Sequence, residues 1–177
     1  MKLLPNRTTD RVTDWMLWRW MEVNGRRDGV RYMTRLYIVN TPWFGFKLHW
    51  FWGPDPDESC HDHPWWFLSL LLKGWYVEER MELQAPYEGM MPDERHMMLV
   101  GHQWFQRRSW LGSLAFRRAK AIHNIIRVEP GTLTLVVNGP KERSWGFWTQ
   151  PLPREPHRVR FVDWRTYLGI PRTTPEV

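Results

Sequence analysis

Cysteine is almost missing from this chain: Cys60 is the single one in 177 residues. That excludes an internal disulfide and suits a reducing compartment. Long apolar runs are missing too, none approaching the roughly 20 residues that carry a helix across a bilayer. The stretch Met1 to Arg7 offers no apolar core of signal-peptide length, so the expected location is cytoplasmic, with no membrane partner. No block of five like charges occurs. The net charge of +6 is spread over pairs such as Arg26-Arg27, Arg107-Arg108 and Arg117-Arg118. With no recognition-helix or zinc-finger spacing beside them, a nucleic-acid partner is disfavoured, and a solvated surface or a small anionic substrate accounts for the charge. Internal repeats and low-complexity segments are absent as well.

What is present is apolar and aromatic. Hydrophobic residues make up 42% of the chain, enough for a real core and too many for a disordered one. The 14 tryptophans fall mostly in strand-like segments. They read as filler for a wide barrel, with an aromatic-lined ligand pocket as the alternative. The length fits one domain: an extension over 1–29, a β-barrel over 30–162, and a short helix and tail over 163–177. In the extension, Trp15, Trp18 and Met21 recur near helical spacing after Thr8, Thr9 and Asp10, so an amphipathic helix over Thr8–Glu22 is expected. Asp163 and Gly169 bracket the C-terminal helix as cap and stop.

Between these ends, short extended segments alternate with breakers. Arg31–Asn40, Gly45–Trp52, Trp75–Glu82, His96–Gln106, Thr132–Val137 and Ser144–Thr149 read as strands, and Val159–Val162 as an edge strand. The loop Gly53 to Cys60 is acidic and rich in proline. Many short strands at regular spacing predict an all-β jelly-roll barrel with one or two flanking helices.

One stretch organises the rest, His61-Asp62-His63-Pro64-Trp65-Trp66-Phe67-Leu68-Ser69-Leu70-Leu71-Leu72-Lys73-Gly74. On a strand His61 and His63 point the same way, about 6.5–7 Å apart, and can bite one metal ion. Trp65, Phe67, Ser69 and Leu71 share their parity. Because Trp66, Leu68, Leu70 and Leu72 are apolar too, the strand is expected to be covered on both faces. A two-His-one-carboxylate site would need an acid two residues after His61. That place holds His63, which disfavours the 2-oxoglutarate oxygenase pattern.

This stretch resembles the first motif of the cupin superfamily: His-x-His, a spacer, Glu, six residues, Gly. Phe67 stands at the Glu position and Gly74 falls on register. Phe116 to Ile126 resembles the second motif through His123, sixty residues after His63, with Arg118 and Lys120 where Pro and Gly are usual. The closing segment Thr132 to Phe147 resembles small cupin-like proteins of bacteria and their phages. The resemblance implies a three-histidine metal centre of His61, His63 and His123, as in the thiol dioxygenases. Iron(II) is the expected ion, with Zn, Ni or Mn as alternatives. It further implies a dioxygenase-type oxidoreductase acting on a small anionic or chelating substrate. His102 is the candidate base, and Trp65, Phe67, Arg117 and Arg118 are the candidate substrate contacts. Glu78 or Glu79 would supply a fourth ligand if one is needed. The alternative is a non-catalytic cupin module with an aromatic-lined pocket, and a homodimer is compatible with either.

Overall fold

A computed structural model describes residues 15–24, 29–57, 59–83, 100–149 and 158–169. Twelve strands occupy them: β1 (Met16–Asn24), β2 (Arg31–Asn40), β3 (Gly45–Phe51), β4 (Cys60–His61), β5 (Phe67–Lys73), β6 (Trp75–Leu83), β7 (Val100–Trp110), β8 (Leu114–Arg117), β9 (Ile122–Val128), β10 (Thr132–Asn138), β11 (Gly146–Thr149) and β12 (Arg158–Asp163). One helical turn, α1 (Trp164–Tyr167), follows, with Asp163 capping it by accepting from the Arg165 N–H at 2.9 Å.

The strands form two antiparallel sheets. One runs β1-β2-β3-β10-β5-β8, and the other closes on itself in the order β11-β12-β7-β6-β9-β4. This is the expected all-β jelly-roll architecture. The chain passes from the open sheet to the closed one at the β5–β6 turn. There Gly74 has φ +79, and a Cβ on it would run into the Thr132 side chain, so only glycine fits this turn.

Two cores result. Met33, Phe51 and Leu71 from the open sheet meet Tyr76 and Ile125 from the closed one. On the far face of the closed sheet, Cys60, Met81, Ile122, Trp148, Val159 and Phe161 pack together. Strand alternation separates the two, since Ile122 and Ile125 leave β9 on opposite faces.

Five expectations are corrected. The described part of the predicted N-terminal helix is strand β1, paired along its length with β2. Tryptophans three apart suit a helix, but pairing with a long neighbouring strand, which satisfies the backbone groups on the β2 side, wins. The proposed caps Thr8 to Asp10 lie outside the described residues, as do His96 and His157. β12 is no edge: it lies between β11 and β7.

The His61-to-Leu72 stretch is not one strand either. It breaks around Pro64 into β4, in the closed sheet, and β5, in the open one. Finally, the tryptophans do not fill the interior. Trp148 and Trp164 are buried, while Trp15, Trp18, Trp43, Trp52, Trp104 and Trp110 are exposed. Several pair on the surface, as Trp20 does with Trp50 and as Trp75 and Trp110 do across Arg108. The outer face of β5 is likewise not covered throughout, with Leu72 exposed.

Candidate metal centre

β4 and β9 are antiparallel neighbours, and His61 lies directly opposite His123. His63 follows in the connection to β5, where its N–H donates to the Ala119 carbonyl at 3.2 Å. The intervening Asp62 faces away and is almost fully buried. Its carboxylate accepts from Arg143 at 2.8 Å, from the Gly146 N–H at 2.9 Å and from the Trp148 indole at 3.3 Å. Asp62 therefore ties the two-histidine segment to β11, and the break at Pro64 does not loosen it.

The three imidazoles converge. Their ring centres form a near-equilateral triangle of 5.1, 5.0 and 5.0 Å, and one nitrogen from each lies within 4.8 Å of the others. The Nε2 atoms of His63 and His123 are 2.7 Å apart. Burial, with His123 adding to it, draws the His61 pKa down to about 3. Burial acts likewise on His63, joined by His123, His61, Arg35 and Lys47, and holds it well below the usual imidazole range. Converging imidazole nitrogens, those of His61 and His63 kept neutral by burial, are the donor set that a divalent transition metal takes.

Sequence reasoning missed how His123 is aimed. Its Nδ1 lies 2.9 Å from Oε1 of Glu78, a buried carboxylate on β6. A proton on Nδ1 faces that oxygen, which favours the tautomer whose Nε2 lone pair points toward His63. Glu78 is in turn held by Arg117, Nε at 3.1 Å and Nη2 at 2.6 Å, and by Arg80 Nε at 2.8 Å. Burial pushes the Glu78 carboxyl pKa up, but the hydrogen bonds and charges of His123 and Arg117 outweigh it and hold the group well below the usual carboxylate range. Glu78 thus backs one histidine and is not a fourth member of the triangle. Its parity with Arg80 and its turn into the intersheet space were available from sequence, but a β-bulge at Val77/Glu78 resets the register there.

Phe67 lands where its parity put it, with ring centres 5.0 Å from His63 and 5.8 Å from His123. Arg117 turns inward, yet its guanidinium is engaged by Glu78, and Arg118 is exposed. Trp65 lies half-buried beneath the Lys47 ammonium, 4.6 Å from the ring centre. The backbone of His102 pairs with Leu83 at the start of β7, and its side chain lies outside the described residues. On the other flank of His61 stand Phe147 and Trp145, ring centres 6.0 and 6.5 Å away, stacked against Tyr167 and Trp164 of α1.

No family model and no curated protein matches the chain. Solved structures do. The chain is similar to an RmlC-like cupin from Shewanella frigidimarina NCIMB 400, with 12% identity over 81% of this chain and 97% of that one, TM-score 0.40. KdgF from Halomonas sp. is 15% identical over 70% of this chain and 89% of that one, TM-score 0.41. Fe(II)-HppE with the alternative substrate (S)-1-HPP is 16% identical over 76% of this chain, TM-score 0.45. This chain spans 63% of that HppE chain, less than two thirds of its length. Among the described residues no helix is long and apolar enough to cross a membrane.

Proposed function

We propose that this cupin-like protein is a metal-dependent oxidoreductase of the iron(II) dioxygenase type, acting on a small anionic or chelating substrate. His61, His63 and His123 would hold the ion. The observation that carries this reading is the triangle of converging imidazoles, one of them backed by Glu78. When bound, iron(II) supplies redox chemistry and open coordination positions for a chelating substrate. Around it, Glu78 keeps the Nδ1 proton of His123 in place, and Arg117 and Arg80 keep Glu78 ionised. The Phe67 ring excludes water from the side where a carboxylate would otherwise sit. Three neutral ligands leave the ion's double charge uncompensated, which favours an anionic partner.

Elemental analysis after anaerobic reconstitution with iron(II) tests the reading, followed by oxygen-uptake assays with small hydroxy acids, oxo acids and thiols. One ion per chain with substrate-dependent oxygen uptake is expected. Absence of metal after reconstitution would overturn the proposal. The second reading, a ligand-binding module, draws on the stacked aromatics Trp145, Phe147, Trp164 and Tyr167 beside His61. It predicts ligand binding that is indifferent to metal.

A further inference from the structure

The inner wall of the open sheet carries two cations, Arg35 and Lys47, that form no ion pair among the described residues. Lys47 is 3% exposed, and its ammonium lies 5.2 Å from the Tyr37 ring centre and 4.6 Å from that of Trp65. Across the β2–β3 pairing, Lys47 faces Tyr37 and His49 faces Arg35, so all four share one face. Arg35 Nη1 donates to the Tyr37 hydroxyl at 3.1 Å. Its Nε, and Nε2 of His49, are buried with no hydrogen-bond partner. Among the described residues no Asp or Glu forms an ion pair with Arg35 or Lys47, whereas Arg80, Arg117 and Arg143 each have one. Asp55, whose field reaches Arg35, has its carboxylate taken by the Ile125 N–H at 2.9 Å. Burying two cations and leaving donors unsatisfied costs several kcal/mol unless an anion completes the set.

This patch adjoins the histidines. Trp65, beneath the ammonium, follows His63 by two residues. On the sheet, Lys47 pairs with Val136 and Val136 with Ser69, roughly two strand spacings or about 10 Å away. Ser69 is the next inward position after Phe67, whose ring touches His63. The fields of Arg35 and Lys47 both reach His63.

We propose that Arg35, Lys47 and His49 form an oxyanion subsite beside the three-histidine centre, holding the carboxylate or phosphate-type group of the substrate while its other end reaches the histidines. This rests on reading that centre as the site of reaction. Arg35 offers its free Nε–H, His49 one N–H from a neutral ring, and Lys47 a compact charge steadied by two aromatic faces. Burial, together with Arg35, lowers the Lys47 pKa well below the usual range, and an oxyanion beside it acts in the opposite direction, favouring the charged ammonium.

The test is isothermal titration calorimetry of inorganic phosphate and, separately, acetate into the full chain at constant ionic strength, metal-free and zinc-loaded. Saturable one-to-one binding of at least one anion is expected without metal. Lys47→Met and Arg35→Met should each weaken it tenfold or more, and the exposed Arg127→Gln by less than twofold. Zinc uptake should be unchanged throughout. Lys47→Gln and Arg35→Gln stand in wherever circular dichroism shows a methionine variant unfolded. A preference for phosphate or for acetate assigns the headgroup. Failure of both anions to bind, or binding that survives both substitutions, overturns the subsite. Lys47-dependent anion binding in a chain that takes up no metal supports the subsite and sinks the metal reading. Metal uptake without Lys47-dependent binding does the reverse.

Discussion

Arg117 and Lys47 are both buried cations on the inner face of the same sheet, 7% and 3% exposed, and they are treated oppositely. Arg117 meets Glu78 through two nitrogens, and Glu78 passes that restraint on to His123. Lys47 meets two aromatic faces and, among the described residues, forms no ion pair with an acid. The first arrangement is complete within the chain and fixes an imidazole. The second is incomplete within the chain, and its electrostatics improve only when something negative arrives. Under the proposed reading, one wall positions and the other recruits, and a carboxylate near Lys47 would cancel the attraction for an anion.

The largest expected effect removes the centre that joins the two walls. His61→Ala with His63→Ala should take metal content from one ion per chain to none by elemental analysis. Circular dichroism should stay unchanged, since neither residue belongs to the two apolar cores. Retained metal would break the comparison at its root. Next, Glu78→Gln strips the complete wall of its acid. It should cost about 3–5 kcal/mol in urea unfolding, because Arg117 is left buried and unpaired. Metal affinity should also fall roughly 10- to 100-fold as His123 loses its backing. An effect under 1 kcal/mol would mean that Arg117 and Glu78 are solvated.

Acid should act on the same wall. With a folded pKa of about 3 for His61 against about 6.5 unfolded, the unfolded chain binds more protons between those values. Stability of the metal-free protein is therefore full above pH 6.5 and declines as pH falls toward 3. Glu78, lowered in the fold, adds to the decline below about 4.3. A urea midpoint flat from pH 7 to 4 would contradict the burial of these groups. Phe67→Glu then sharpens the contrast by adding an acid next to His63. Metal should bind roughly tenfold tighter, about 1.4 kcal/mol, and anions more weakly. Unchanged values for both would show that Phe67 does not face the ion.

Lys47→Met has the smallest effect and the opposite sign to Glu78→Gln. Replacing an unpaired buried cation by an apolar side chain of similar length should raise stability by about 1 kcal/mol in thermal unfolding without ligand. A loss of stability would reveal a partner that completes the lysine.

Strand identity was legible in local pattern. β2 spans Arg31–Asn40 as alternation predicts, and Asp163 caps α1. Local pattern failed where two structures share a spacing, as at Trp15, Trp18 and Met21. There the partner strand β2 decides, and its pairing is written in no short window.

By itself the sequence determined the His-x-His pair, the glycine turn at Gly74, and the inward parity of Phe67, Ser69 and Leu71, because strand alternation and positive φ are local properties. Only the tertiary structure decided that Glu78 aims His123, that Arg117 is consumed in holding Glu78, and that Lys47, Arg35 and His49 face the same space without an acid. Those facts depend on which strands become neighbours and on the bulge at Val77/Glu78. A charge shows no partner until distant strands are brought within a few ångströms of one another.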